Sequence, residues 1–432
     1  MKYYFIGIKG TGMAALAVML HELGNEVCGS DLENHFFTED ELIERGIKIY
    51  SFDPDNITED YTVIIGNAFL EDFPEVIKAR QTCKCYRYHE FLGVFMKDYK
   101  SIGICGSHGK TTTTTLCKTM LSAFKKTAYL IGDGEGFVEK DSEYLCVEAD
   151  EFRRHFIEYH PEYAIITNIE IDHVDYFKDE IDYFNAYQEF VNNVTNAVFY
   201  YGDDEWCQKL VFPKEAYSFG LTENNDYYVR DIQVHGDHSS FDLMYHSRFV
   251  HHYDVPLVGD HVIIDVLGVI AFGDHMGFDH EKIQTSLNEY IGPKRRYVIE
   301  YYGDTVFVDD YAHHPTEVKV TIQASRKRFP EKKIIAIFKP HRASRVKYFA
   351  QEFKEALELA DEIYLIDFTS IDDKQDGTDI DISYLAEMIP GSHILTEDEA
   401  GAKLLSRYKG ECLVFMSSKD IYNIARMVKN DL

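Results

Sequence analysis

The sequence predicts an α/β protein with three domains built on mostly parallel sheets. The first observation is length, because 432 residues at roughly 150 residues per domain correspond to about three domains. The second is that apolar, strand-like segments alternate with segments of helical periodicity, which favours β-α-β units. The third is that glycine-rich turns follow two of these strands, at residues 7–12 and 106–109. We expect domains at residues 1–98, 99–293 and 294–432.

Composition and charge narrow the classes of partner. The chain has 44 basic and 74 acidic residues, a net charge of −30, which disfavours nucleic acid and anionic membranes as partners. The eight cysteines include no CxxC pair and predict free thiols in a reducing compartment. The chain starts directly with a strand and glycine turn instead of a signal peptide, and no apolar run reaches the roughly 18 residues that span a membrane. We therefore expect a cytoplasmic protein without membrane insertion.

The N-terminal domain begins with a fingerprint for a diphosphate. An apolar strand at residues 3–8 precedes Gly10-x-Gly12-x-x-Ala15, and a helical segment follows. A second strand ends at Asp31, about 20 residues past the glycines, which completes the context of a Rossmann-like domain. The pattern places a diphosphate on the first helix but does not distinguish NAD from a nucleotide sugar.

The central domain begins with a phosphate loop at residues 106–111. The apolar strand at residues 101–105 precedes the loop, and a helix follows it. In this arrangement the N–H groups of the turn and the helix N-terminus bind phosphates, Lys110 meets the outer phosphates, and the Thr111 hydroxyl ligates Mg²⁺. Ile104 stands where the longer G-x-x-x-x-G-K-[ST] pattern has its first glycine, so this loop is a shorter form. We expect a P-loop-type ATPase domain that binds ATP or GTP.

Acidic residues and a histidine follow the next two predicted strands. Residues 144–147 form an apolar strand that leads to Glu148, and residues 163–168 form one that leads to His173. The carboxyl ends of strands beside a phosphate loop are where the metal ion of a nucleotide binds, and carboxylate oxygens suit Mg²⁺. A helix cap or a solvated loop explains three further acids in these segments equally well: Asp150, Glu151 and Asp175.

The central domain should end with a small antiparallel part on an otherwise mostly parallel sheet. Residues 225–255 alternate polar and apolar side chains, as an antiparallel meander does. The histidines of this segment lack metal-ligand spacing, and we interpret them as part of a polar strand face: His246, His251 and His252.

The remaining residues alternate strands and helices and predict a Rossmann-like C-terminal domain. Its strand ends carry residues 309–317 and 339–345, which are rich in His and Arg. Residues 294–296, Lys-Arg-Arg, lie at the domain boundary and add to this positive charge in an acidic protein. Pairing with neighbouring acids is the alternative for any single Arg, but we expect the set to bind an anionic ligand.

Six motifs resemble those of the Mur ligase family, and the resemblance covers essentially the whole chain. They are residues 7–13 (GIKGTGM), 106–113 (GSHGKTTT), 148–151 (EADE), 167–173 (TNIEIDH), 309–317 (DDYAHHPTE) and 340–345 (PHRASR). The resemblance implies ATP-dependent ligation of L-alanine to UDP-N-acetylmuramate through an acyl phosphate, in the synthesis of a peptidoglycan precursor. It also implies ATP and Mg²⁺ as cofactors, and a monomer or weak homodimer.

The resemblance further implies roles for individual residues. The UDP-sugar would be bound by Gly10, Thr11, Gly12, Met13, Asp31, Arg153 and Arg154. ATP would be bound by Gly106, Ser107, His108, Gly109, Lys110, Thr111, Thr112, His261, Arg296 and Asp310. The amino acid would be bound by Tyr311, His313, Arg342 and Arg345, and Mg²⁺ by Thr111, Glu148 and His173. The implied catalytic set is Lys110, Glu148, His173, Arg296, Asp310 and His313.

Two segments depart from the family pattern. The family's second-domain helix usually begins His-Asn-x-x-Asn, but here Val262 and Asp265 replace the two Asn residues. Val262 removes both a donor and an acceptor for the adenine base. Where the family has a Gly-Ala-Gly-Asp turn, residues 417–420 are Ser-Ser-Lys-Asp, and a turn that needs positive φ would tolerate these poorly.

Alternatives stay open at the level of the sequence. A sister ligase that joins UDP-free muramic acid to a tripeptide in wall recycling would show a similar first domain. A divergent paralogue with altered or lost catalysis is suggested by Val262 and Asp265, whereas the retained Lys110, Glu148 and His173 argue against it. A dinucleotide-dependent oxidoreductase would explain the first glycine motif but leaves the Lys110 loop without a role.

Overall fold

A computed structural model of the chain describes residues 1–432 except 37, 133, 293–294, 370–372, 374–376 and 432. Lys294, part of the predicted basic segment, lies outside the described residues. The chain divides into two compact units. One consists of Met1–Glu170 with Ile181–Gly292, and the other of Ile171–Glu180 with Pro293–Leu432.

The N-terminal sheet is parallel and has the order β3-β2-β1-β4-β5 in the part of the chain described. Its strands are β1 (Lys2–Ile6), β2 (Glu26–Ser30), β3 (Lys48–Tyr50), β4 (Thr62–Ile65) and β5 (Lys84–Arg87). Its helices are α1 (Thr11–Glu22), α2 (Glu39–Glu44), α3 (Pro74–Thr82) and α4 (Tyr88–Met96). The strand order reverses direction between β1 and β4, which is where doubly wound sheets bind ligands at their carboxyl ends.

The central sheet has the order β15-β14-β13-β12-β11-β10-β6-β9-β7-β8 over the described residues. Its first strands are β6 (Lys100–Cys105), β7 (Thr127–Leu130), β8 (Gly136–Phe137), β9 (Tyr144–Glu148) and β10 (Tyr163–Ile166). The others are β11 (Ala197–Tyr201), β12 (Glu215–Gly220), β13 (Tyr227–His235), β14 (His238–Tyr245) and β15 (Arg248–Val255). In this spatial order, the seven strands from β13 to β7 pair in parallel with one another. The strands β8, β14 and β15 pair antiparallel to their neighbours. The predicted meander is therefore confirmed.

Apolar residues of the central helices pack on this sheet and create its core. The helices are α5 (Lys110–Phe124), α6 (Glu180–Asn193), α7 (Asp260–His275) and α8 (His280–Asn288). Leu116 and Met120 of α5 lie in one buried cluster with Leu267 and Ile270 of α7. Because α5 begins at the phosphate loop, this packing holds the loop relative to the sheet.

The N-terminal and central sheets belong to the same compact unit, and close backbone contacts join them. A Cβ atom at Gly93 of α4 would lie 2.3 Å from the carbonyl oxygen of Glu158, at the end of the 3-10 segment Phe152–Glu158. A Cβ at Gly136 of β8 would lie 2.9 Å from the carbonyl oxygen of Ala15 in α1. Both glycines allow an approach that any side chain would prevent.

The C-terminal sheet has the order β16-β17-β21-β18-β19-β20 in the described residues. Its strands are β16 (Val298–Tyr302), β17 (Thr305–Asp310), β18 (Ile334–Phe338), β19 (Glu362–Ile366), β20 (His393–Leu395) and β21 (Cys412–Met416). Its helices are α9 (Pro315–Arg328), α10 (Ala343–Tyr348), α11 (Ala350–Leu357), α12 (Ser383–Met388), α13 (Glu399–Leu405) and α14 (Tyr422–Asp431). Only the edge strand β16 pairs antiparallel within the described part of this sheet.

A short segment that follows β10 packs with the C-terminal sheet. Ile171 and Val174 contact the apolar cluster that contains Val308 and Phe338. In the same segment, Oδ1 of Asp172 accepts a hydrogen bond from Nε of Arg345 at 2.8 Å and lies 2.7 Å from its Nη2, and both side chains are buried. A buried ion pair thus attaches residues 171–180 to α10.

The α/β class with three sheet-based domains is confirmed, and the exact residues of the domain boundaries stay a prediction. Among the described residues, no helix is long and apolar enough to cross a membrane.

The buried ion pair makes a testable contribution to stability. Asp172→Asn keeps the shape of the side chain but leaves the Arg345 charge buried without an anion, so we expect the C-terminal unit to lose about 3–5 kcal/mol. The single tryptophan, Trp206, lies in the first unit, so hydrogen exchange of β18 amides in urea is the suitable measurement.

The control and the pH dependence sharpen this test. Glu358→Gln removes an exposed partner of Lys354 in the same unit and should cost about 0–1 kcal/mol. Burial alone would raise the pKa of Asp172, but the neighbouring Arg345 guanidinium holds this pKa well below its usual range. The contribution of the ionised Asp172 carboxylate to stability is therefore complete above about pH 4, and it is lost as the pH falls through the folded-state pKa of Asp172. Equal losses from the two variants would contradict the assignment.

Candidate active site

The phosphate loop connects β6 to α5 through two glycines in conformations that favour glycine. Gly106 has φ of 144°, and a Cβ there would lie 1.9 Å from the Thr167 hydroxyl oxygen. Gly109 is the N-cap of α5 and has φ of 81°. The backbone N–H groups at the start of α5 lie where the sequence predicts anion-binding groups, and their binding of phosphate stays a prediction.

Lys110 is held on its own loop by a buried glutamate. Its Nζ donates to the carbonyl oxygens of Gly106 at 2.6 Å and Ser107 at 3.2 Å. Nζ also lies 2.8 Å from Oε2 of Glu151, whose side chain is 1% exposed. Burial by itself would lower the pKa of Lys110, but the charges of Glu151 and Asp150 raise it above its ordinary value. The ammonium group is thus charged and positioned at the loop.

The same glutamate joins a hydrogen-bonded chain back to the loop. The Tyr183 hydroxyl donates to Oε1 of Glu151 at 3.4 Å and lies 2.9 Å from the Ser107 hydroxyl. Ser107 in turn donates to the carbonyl oxygen of Glu170 and accepts from its N–H. The pairing of Glu151 with Lys110 was not predicted, because nothing in the local pattern distinguished Glu151 from a helix cap.

The residues after β10 support the other side of the loop. Asn168 accepts a hydrogen bond from the His108 N–H at 3.0 Å and donates to the His108 carbonyl oxygen at 3.0 Å. The imidazole Nε2 of His108 lies 2.9 Å from Oε2 of Glu170. This places the motif at residues 167–170 directly against the phosphate loop.

Two of the predicted Mg²⁺ ligands are brought together at the start of α5. The Thr111 hydroxyl lies 3.2 Å from Oε1 of Glu148, at the end of β9. The N–H of Gly132 donates to Oε2 of Glu148 at 2.9 Å, and a Cβ at Gly132 would overlap the carboxylate. A hydroxyl and a carboxylate beside phosphate-binding N–H groups form a hard-oxygen donor set that fits Mg²⁺. His173 lies in the second unit, where its N–H donates to Asp172 and its φ is 51°; its predicted role as a ligand stays a prediction.

The segment that departs from the family pattern lies beside the phosphate loop. Asp265 is buried in α7, and a Cβ at Gly109 would lie 2.5 Å from its Oδ1. Val262 is half-buried in the first turn of α7, and the His261 ring packs against Gly259. An acid and an aliphatic side chain therefore occupy the positions where the resemblance implies two amides.

The N-terminal glycine motif forms the turn between β1 and α1, so that Gly10 precedes the first turn of α1. Asp31 accepts hydrogen bonds from the N–H of Lys9 at 2.7 Å and of Leu32 at 2.8 Å. Its carboxylate thus supports the glycine turn from the end of β2. Thr11, Gly12 and Met13 form the first turn of α1, where a diphosphate would meet free N–H groups.

The two predicted arginines of the 3-10 segment have different surroundings. Arg154 lies 2.7 Å from Asp182 and 3.1 Å from Glu189, so its charge is balanced by α6. Arg153 is exposed and lies over the Phe152 ring at 5.3 Å. Both have left-handed backbone angles, with φ of 50° and 60°.

In the second unit, Asp310 at the end of β17 is a buried carboxyl group, and its burial opposes ionisation. Its carboxylate accepts hydrogen bonds from the N–H groups of Tyr297 and Ala312 at 2.8 and 2.7 Å. Burial raises the pKa of Asp310 to about 6, and the nearby Arg296 opposes this shift. Arg296 also lies 4.6 Å from the centre of the Tyr311 ring. The strand end therefore brings together three residues that the resemblance implies for ATP and amino acid.

The other predicted binding residues of this unit are largely engaged with acids. Arg345 pairs with Asp172 as described, and Arg342 pairs with Asp175. The His313 ring lies 3.1 Å from Glu317, the residue that forms the capping box of α9 with His314. The predicted contacts of these side chains with an amino acid remain predictions.

The Ser-Ser-Lys-Asp turn at residues 417–420 does not adopt the positive φ angles expected for the Gly-Ala-Gly-Asp turn of the family. None of the residues 417–420 has positive φ. The Arg295 guanidinium donates to the carbonyl oxygens of Ser417 and Lys419, both at 2.7 Å. The Ser417 hydroxyl accepts from the Lys419 N–H at 3.0 Å. The expectation that Ser and Lys would fit this turn poorly is therefore wrong, because the backbone takes an ordinary conformation held by Arg295.

Family comparisons agree with this arrangement over three consecutive segments. The chain matches the profile described as Mur ligase family, catalytic domain, at residues 2–100. It matches the Mur ligase middle domain at residues 104–273 and the Mur ligase, glutamate ligase domain, at residues 294–419.

Individual relatives match along the full length. A UDP-N-acetylmuramate–L-alanine ligase from Lactiplantibacillus plantarum is 41% identical over 432 residues, which cover 100% of this chain and 98% of the relative. The crystal structure of a UDP-N-acetylmuramate–alanine ligase from Thermotoga maritima superposes with a TM-score of 0.81 at 25% identity, covering 100% of this chain and 99% of the other. A murein peptide ligase from Psychrobacter arcticus shares the fold, with a TM-score of 0.73, 22% identity and coverage of 99% and 98%. The chain belongs to the Mur ligase family.

Proposed function

We propose that the protein joins L-alanine to UDP-N-acetylmuramate at the expense of ATP, as a step in peptidoglycan precursor synthesis. The muramate carboxylate attacks the γ-phosphate, ADP leaves, and the amine of L-alanine then displaces phosphate to form the amide. The observation that carries the proposal is the full-length relationship to a ligase of this name, together with the Lys110 loop beside Glu148. Because ATP and UDP-sugars are cytoplasmic metabolites, we place the reaction in the cytoplasm.

The chain's own residues account for the main electrostatic requirement. A carboxylate that attacks a phosphate brings anions together, so positive groups must be in place first. Lys110 supplies one at the phosphate loop, and the N–H groups of α5 supply partial charges. Thr111 and Glu148 would hold Mg²⁺, which neutralises phosphate charge when bound. The resemblance also assigns Arg296 and Asp310 to the nucleotide, and we propose the same role for them here.

Phosphate release tests the proposal directly. With Mg-ATP, we expect release that requires both UDP-N-acetylmuramate and an amino acid, with L-alanine preferred over glycine and L-serine. Release with UDP-free muramic acid and a tripeptide would instead favour the recycling ligase. The absence of release at saturating Mg-ATP with every acceptor would favour a paralogue without catalysis.

Lys110→Ala should strongly reduce turnover while it leaves binding of the UDP-sugar intact. Loss of one preorganised positive donor reduces kcat by roughly 100- to 1,000-fold. The glycine motif of α1 does not contact Lys110 in any hydrogen bond found among the described residues, so binding of the UDP-sugar by calorimetry should change less than about threefold. Lys125→Ala, at the other end of α5, is the matched control and should retain activity. A Lys110→Ala enzyme with normal kcat would contradict the assigned role.

The raised pKa of Asp310 predicts a pH dependence. As the pH falls through about 6, the carboxyl takes up a proton and loses the charge that faces Arg296. If the ion is the form that positions ATP, kcat/KM for ATP should fall about tenfold between pH 7 and pH 5. Asp310→Asn should show a low kcat/KM without this inflection. A wild-type profile that is flat between these pH values would argue against the role of Asp310.

Val262 predicts weak discrimination between nucleotide bases. An aliphatic side chain cannot hydrogen-bond adenine, so the ratio of kcat/KM for ATP over GTP should be small. Val262→Asn restores a donor and an acceptor and should raise this ratio by roughly 2- to 10-fold, the effect of one neutral hydrogen bond. Ile264→Asn, two residues away in the same helix, serves as the control and should not improve the ratio. An unchanged ratio in Val262→Asn would place adenine elsewhere.

A further inference from the structure

The phenol of Tyr88 lies directly on the N-terminal glycine turn. Tyr88 is the first residue of α4, and a Cβ at Gly12 would lie 2.5 Å from its hydroxyl oxygen and 2.7 Å from Cζ. Gly12 therefore lacks a side chain where the Tyr88 ring ends. The contact joins residues 76 positions apart in sequence, so no local pattern indicated it.

The hydroxyl also faces the acidic end of the central sheet. Burial, followed by the charges of Asp150 and Glu148, raises the pKa of Tyr88. The phenol consequently stays protonated and available as a donor. Tyr88 thus stands between the turn expected to bind a diphosphate and the carboxylate expected to bind Mg²⁺, all within the first compact unit.

Within the described residues, the Tyr88 hydroxyl has no protein hydrogen-bond partner. Two buried tyrosines of the same unit do have one, since Tyr4 donates to Glu75 at 3.1 Å and Tyr227 donates to Asp274 at 2.8 Å, whereas the buried Tyr228 hydroxyl has none among the described residues. A tyrosine with a purely packing role would need only the ring, and phenylalanine would fill that space. The Tyr88 side chain is half-buried, so its protonated phenol, which has no protein acceptor among the described residues, is accessible to an acceptor on a ligand bound at this turn.

We propose that the Tyr88 hydroxyl donates a hydrogen bond to an oxygen of the second phosphate of the UDP-sugar, the phosphate that is joined to the sugar. This inference rests on the proposed function, because it assigns one further binding residue to that substrate. The N–H groups of α1 bind the diphosphate from one side, and Tyr88 binds it from the side that faces Glu148 and Asp150. These carboxylates repel a second anion, so a neutral donor at this place draws the diphosphate to a defined position without adding a charge.

Binding measurements with Tyr88→Phe test the proposal. The full-length protein is titrated with UDP, UDP-N-acetylmuramate and UMP by calorimetry. We expect Kd for UDP and for UDP-N-acetylmuramate to rise by the same factor, about 10- to 100-fold, as for loss of a hydrogen bond to a charged group. UMP, which lacks the second phosphate, should change by less than about threefold. The KM for ATP should remain that of the wild type.

Tyr86→Phe is the matched control, because it removes a phenol hydroxyl from β5 two residues away while its ring contact with Phe91 remains. It should bind all three ligands as the wild type does. Unchanged affinity of Tyr88→Phe for UDP would overturn the proposal, as would a loss seen only with UDP-N-acetylmuramate, which would indicate a sugar contact. Failure of the wild-type protein to bind UDP-N-acetylmuramate would instead count against the proposed function.

Discussion

The ion pair between the half-buried Lys110 and the buried Glu151 is the interaction on which the phosphate loop depends. An ammonium group without an anion is costly to bury, and Glu151 provides that anion from the end of the neighbouring strand. Glu151 is connected through Tyr183 to Ser107, so the same network that neutralises the lysine also supports the loop backbone. The loop is consequently charged and shaped before any phosphate arrives. A phosphate then has to compete with Glu151 for Lys110, which favours a strongly anionic ligand over a weakly anionic one.

The same principle explains how a chain with a net charge of −30 can serve anionic substrates. The sequence suggested a concentration of positive charge at the strand ends of the C-terminal sheet. The structure balances much of this charge locally, in the pairs Arg345–Asp172, Arg342–Asp175 and Arg296–Glu317. Counting arginines in a motif therefore overestimates the charge that a ligand meets. The groups that can still bind an anionic ligand have fixed directions: they are the N–H groups at helix N-termini and the cations that a neighbouring acid holds in position.

Local patterns predicted the parts of the molecule that local geometry determines. The strand–glycine–helix units around Gly10 and Gly109 follow from short-range rules, and both were located from the sequence. The partners that make these units functional could not be found in that way. Glu151 lies 41 positions from Lys110, and Tyr88 lies 76 positions from Gly12, so only the strand order brings them together. Motif spacing predicts which residues belong to a site. The hydrogen bonds and ion pairs that these residues make depend on the completed fold.

The two departures from the family pattern have different physical weight. At residues 417–419 the backbone avoids positive φ, and Arg295 donates to two of its carbonyl oxygens, so the change of residue type is compensated within the same unit. Val262 at the start of α7 differs from this case, because an aliphatic side chain cannot make the hydrogen bonds of the amide that it replaces. Asp265 is nearly the size of the amide it replaces and fills the space that Gly109 leaves. It therefore preserves the packing of α7 on the loop and alters its charge. The fold accommodates the change of residue type in the turn, and the start of α7 is where we expect the properties of this chain to differ from those of a ligase that has the two amides.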